Sequence, residues 1–77
     1  MTGHTFNTDD VRWDGLQLRL SSDRLLATVE PDAQWAGLFR VRFPNGHATD
    51  IVNLTRAKDA AVILALSDLN LKLGRAA

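Results

Sequence analysis

From Ala57 to Leu73 the chain carries apolar residues on two sides of one predicted helix. Val62, Ala65, Leu66, Leu69 and Leu73 form one stripe at helical spacing, and Ala57, Ala60, Ala61, Leu64 and Leu71 form another. A surface helix of a monomer shows one apolar stripe and one wet face. Two stripes therefore call for two partners: a sheet within the chain and a second surface outside it. With 77 residues there is room for one domain. A domain of this size buries only about 60–65% of its unfolded surface. Small scaffolds of this kind lean on disulfides, metals or oligomerisation. The chain has no cysteine and two histidines, which removes disulfides, thiolate zinc sites and cysteine nucleophiles and leaves too few ligands for a histidine-rich metal site. By elimination the expectation is a homodimer, with Ala57, Ala60, Ala61, Leu64 and Leu71 in its interface.

Upstream of the helix the pattern has the two-residue period of strands. Leu16, Leu18 and Leu20 alternate with Gln17, Arg19 and Ser21, and Ser21-Ser22-Asp23 reads as a turn. A second apolar run, Leu25 to Val29, ends at Glu30-Pro31-Asp32. After Trp35 and Gly37, Phe39, Val41 and Phe43 face one way and Leu38, Arg40 and Arg42 the other. Pro44-Asn45-Gly46 predicts a hairpin turn, because proline is preset for a turn and Asn-Gly readily takes positive φ. The returning strand is placed at His47–Asn53, with its inward side left open between Ala48/Asp50/Val52 and Thr49/Ile51/Asn53. Thr55 is the predicted N-cap and Gly74 the predicted terminator of the helix. The fold class is thus α+β: a four-stranded antiparallel meander followed by one C-terminal helix packed on the sheet. Residues 1–10 are expected to form a flexible tail, 11–74 a single domain, and 75–77 a frayed terminus.

Nine basic and nine acidic residues give a net charge of zero, which disfavours a strongly basic nucleic-acid binder or a polybasic membrane-surface protein without removing local patches. No segment approaches the ~20 apolar residues of a membrane span. Met1–Asp10 has neither the basic start nor the apolar core of a secretory signal. The expected location is the cytoplasm, and seven arginines against two lysines point to a GC-rich bacterial source. No spacing matches a nucleophile elbow, an HExxH zinc site or a phosphate-binding glycine loop. The expectation is a non-enzymatic protein with no cofactor, no metal and no small-molecule substrate.

Two places carry candidate binding chemistry. At the helix start Arg56 and Lys58 occupy a position that normally favours acids, so an anion would offset their cost and use the free N–H groups. The competing reading is that both cations point into water or pair with Asp50 or Asp59. The second place is the sheet, where Arg40 and Arg42 share a face that Arg19 can join. With Trp35 or Trp13 as a stacking ring, such a face suits single-stranded nucleic acid. The competing reading is a solvated face with cross-strand ion pairs.

The stretch Thr49-Asp50-Ile51-Val52-Asn53-Leu54-Thr55, leading from the last strand into the helix, resembles the positive-cofactor family of transcriptional coactivators, and Leu16 to Leu69 cover its strand-strand-strand-strand-helix layout. That resemblance implies a homodimer with helices in the interface and binding of single-stranded DNA. Leu38 to Leu66 also resemble the three-strand-plus-helix DNA-binding modules of ethylene-response factors and the arm-binding domains of tyrosine recombinases, which implies base reading by Arg40 and Arg42. The sequence thus leaves two readings: a module for nucleic acid or another phosphate-bearing partner through Arg19, Arg40, Arg42, Arg56, Lys58 and Trp35, or a protein-interaction and assembly domain.

Overall fold

The computed structural model describes residues 5–76. Strands β1 (Val11–Asp14), β2 (Gln17–Leu20), β3 (Leu25–Pro31) and β4 (Phe39–Arg42) form one antiparallel sheet in the order β1-β2-β3-β4. One helix, α1 (Leu54–Ala76), follows and packs against β3 and β4. The fold class is the expected meander plus helix, but one strand is gained at the start and one is lost at the end.

The gained strand is β1. Val11 and Trp13 alternate with Arg12 and Asp14, and Gly15-Leu16 makes the tight turn into β2, with Gly15 at φ +62°. Trp13 lies opposite Leu18 and Val11 opposite Leu20, so both apolar residues join the inner face. Residues 5–10 are held rather than loose. Asn7 caps a 3-10 turn at Thr8–Asp10, and Ser21 N–H donates to Asp10 O at 2.8 Å. Asn70 on α1 clasps the Phe6 backbone, accepting from its N–H at 2.8 Å and donating to its carbonyl at 3.0 Å. The remainder of the expected tail, Met1–His4, lies outside the described residues.

The lost strand is His47–Asn53. Its turn forms as predicted: Gly46 N–H donates to Phe43 O at 2.9 Å and Phe43 N–H to His47 O at 2.8 Å, with Gly46 at φ +95°. The same three-residue loop joins β2 to β3, where Asp23 takes the left-handed position at φ +77°. Beyond His47 the ladder fails. Thr49 N–H reaches Val41 O at 2.9 Å, but Val41 N–H is accepted by the Thr49 hydroxyl, at 2.9 Å, instead of the Thr49 carbonyl. A side chain has replaced the backbone acceptor. Pairing resumes one residue out of register, with Val52 opposite Phe39, so only isolated bridges remain.

The N-cap is Asn53, not Thr55. Arg56 N–H donates to Asn53 Oδ1 at 2.9 Å and Ala57 N–H to Asn53 O at 2.9 Å, which makes Leu54 the first helical residue. Nor does Gly74 stop the helix, which runs to Ala76. One interior glycine costs about 1 kcal/mol and does not by itself end a helix. Of the expected frayed terminus, residues 75 and 76 are helical and Ala77 lies outside the described residues, as does the side chain of Leu73.

The core is thin. Leu18, Leu26, Ala27, Val29 and Val41 from the sheet meet Ala57, Ala61, Ala65 and Leu69 from α1. A bulge opposite Leu18/Arg19 lets the neighbours Leu26 and Ala27 both be buried. The helix buries one row spaced four residues apart, drawn from both predicted stripes. Ala57 and Ala61, expected at a dimer interface, are fully covered by this chain's own sheet. Their small side chains let the helix backbone lie close to β3 and β4, which bulkier residues would prevent. No described helix is long and apolar enough to cross a membrane.

Candidate interaction surfaces

The outer face of the sheet gathers the predicted arginines. Gln17 lies opposite Thr28, and Thr28 opposite Arg42, so Arg19, Arg40 and Arg42 project from the same side. They converge, but each is already engaged. Across β3 and β4 the pairing is diagonal: Arg40, opposite Glu30, bonds Asp32, while Arg42, opposite Thr28, bonds Glu30 at 3.0 Å. Arg19 donates to Gln17 Oε1 at 2.8 Å and to Asp23 O at 3.0 Å, and lies 3.8 Å from Asp14. Arg12, which the sequence reading passed over, pairs with Asp23. Carboxylates thus punctuate the whole face, and a phosphate chain laid on it would have to displace them.

Trp35 stands apart on the β3–β4 loop. Its side chain is exposed (56%), while the loop beneath it is tied down. Asp32 Oδ2 accepts from Gln34 N–H at 2.8 Å and from Trp35 N–H at 2.7 Å, and Oδ1 takes Arg40. The Asp32 side chain is only 8% exposed. The Trp35 N–H bond, against the opposing effect of burial and with help from Gln34 N–H and Arg40, holds the Asp32 carboxyl below its ordinary value. Sequence reasoning missed this residue; Pro31-Asp32 before a loop is the turn signal that could have found it.

The cations at the helix start separate. Residues two apart do not share a helix face. Lys58 folds onto the sheet, with Nζ 4.9 Å from the centre of the Trp13 ring. Arg56 is exposed in the first turn, where one N–H is already taken by Asn53. The two do not form a joint anion site. Trp13 is an internal cation–π partner and not a free stacking platform.

The apolar surface left open lies on α1. Ile63 (66% exposed), Leu71 (57%) and Leu64 (44%) form a stripe with Ala60 and Ser67 between them. Of the five predicted interface residues, Ala60, Leu64 and Leu71 remain on this outer side. Leu64 also borders a cleft of about 590 Å³ between α1, the start of β3 and the 43–49 hairpin. Among the described residues no group of three or more His, Cys, Asp or Glu is placed to hold a metal ion. Comparison with protein-family models, with curated proteins and with solved structures finds no match for this chain.

Proposed function

We propose that this chain is a non-enzymatic assembly domain that docks through the outer stripe of α1 onto a second copy of itself. The observation that carries the reading is the stripe Ala60, Ile63, Leu64, Ser67 and Leu71. It exposes three large aliphatic side chains on a helix whose opposite side packs on the sheet. Exposed apolar residues grouped on one face, unlike scattered ones, call for a partner surface.

Two further features support it. Two pairs of the stripe are complementary to their own reverse: laid antiparallel about a point between residues 65 and 66, close to the helix midpoint, Leu71 meets Ala60 and Leu64 meets Ser67, with Ile63 at the flank. Large positions then face small ones, as interdigitated packing requires. The core is also short of bulk, since four of the nine buried residues among those described are alanines, so a second apolar layer would add to its stability. The acidic partners on Arg19, Arg40 and Arg42 weigh against the nucleic-acid alternative.

Sedimentation over a wide concentration range tests this, run beside a low-salt titration with single- and double-stranded oligonucleotides. The expected result is a mass rising from 8.5 kDa towards twice that value, with no salt-dependent oligonucleotide binding. A chain that stays monomeric at every concentration and binds oligonucleotide would overturn the reading.

A further inference from the structure

We propose that the cleft between α1 and the 43–49 hairpin binds an apolar molecule bearing one carboxylate, of the fatty-acid class. Its volume of about 590 Å³ falls within the range of small-molecule sites, roughly 300–1,000 Å³. The floor is formed by Leu26, Phe43, Ala65 and Leu69. Three of these belong to the buried core, so an occupant packs against a fixed wall and not against loose surface side chains. Ala65 on the helix and Ala48 on the hairpin are too small to close the gap between their walls.

The polar part of the lining supplies the head-group chemistry, and it includes the exposed residues Arg24 and His47. The arginines on β1, β2 and β4 all have carboxylate partners, whereas Arg24 has no ion-pair partner among the described residues. Asp68, on the helix side of the same cleft, has an interaction of its own within the chain. One guanidinium with no ion-pair partner among the described residues and one imidazole thus share the cleft with an aliphatic floor. A guanidinium takes a carboxylate with two parallel bonds, while the tail gains from leaving water. Neither group alone would select this class; the pairing of the two does. The site adjoins the docking stripe and shares Leu64 with it, but Ile63 and Leu71 do not line it.

Octanoate, kept below its micelle concentration, is the probe, with 1-octanol as the headless comparison. Titrated into ¹⁵N-labelled protein, octanoate should give saturable shifts at residues 43–49 and 64–69. Arg24→Gln should weaken octanoate about tenfold, the loss expected for one charge-assisted contact, and leave octanol unchanged. Ala48→Trp, at an exposed position, should plug the cleft and abolish both. Ile63→Asp should retain octanoate binding even where it abolishes self-association, which separates this site from the assembly reading. The proposal is overturned by the absence of saturable shifts at those residues, by equal effects of Arg24→Gln on octanoate and octanol, or by binding that survives in folded Ala48→Trp.

Discussion

Replacing Ile63 by aspartate tests docking through α1 most directly. In the single chain Ile63 is 66% exposed, so the fold makes little use of it. Folding stability should move by no more than about 0.5 kcal/mol. Fully burying an isoleucine contributes about 1.5–3 kcal/mol, so covering the exposed two-thirds contributes about 1–2 kcal/mol per copy. A two-fold contact includes each residue twice, which gives about 2–4 kcal/mol per dimer. At about 1.4 kcal/mol per decade the dissociation constant should rise roughly 30- to 700-fold, and burial of two carboxylates would push it further. Sedimentation velocity from micromolar to near-millimolar loading reads this directly, with far-UV circular dichroism to show that the helix persists. Ser22→Asp, on the β2–β3 turn, should leave the mass curve unchanged. A folded Ile63→Asp protein with the wild-type mass curve would refute the reasoning, as would a loss of mass that always accompanies a loss of helix.

Three further outcomes follow from local structure. Asn53→Ala should cost about 1 kcal/mol in urea unfolding and Thr55→Ala a few tenths at most, since only the Asn53 side chain accepts a first-turn N–H; the reverse order would return the cap to Thr55. Gly46→Val should cost about 1–2 kcal/mol through its left-handed backbone at φ +95°, since a Cβ placed there meets open space; an unchanged melting temperature would show that the turn is different. Because the Asp32 carboxyl is held below its ordinary 3.8, its contribution to stability is complete above that pH and is lost as pH falls through the lower folded value. An acid transition in Trp35 fluorescence, absent in Asp32→Asn, would show this, and a transition identical in both proteins would count against it.

The period-two runs at Leu16–Leu20 and Phe39–Phe43, the Pro44-Asn45-Gly46 turn and the long helix were legible because each depends on neighbours in sequence. Side-chain alternation and turn chemistry act within a few residues. β1 was legible on the same grounds, since Val11 and Trp13 alternate ahead of Asp14-Gly15, but polar neighbours on both sides obscured it. The outward projection of Arg40 and Arg42 likewise follows from β4 alone.

Tertiary structure decided the rest. Whether Thr49 offers its carbonyl or its hydroxyl to Val41 depends on a competition that only the closed hairpin stages, and the hydroxyl ended the returning strand. Whether the arginines are free depends on register, because a diagonal offset between β3 and β4 brings Glu30 and Asp32 within reach of them. Sequence period determined that α1 would have two apolar stripes, but not that the buried row would take Ala57 and Ala61 from one and Ala65 and Leu69 from the other. The gap between helix and sheet made that choice. The row with the smallest side chains, Ala57, Ala61 and Ala65, allows the closest approach to β3 and β4, and it leaves Ile63, Leu64 and Leu71 facing outward.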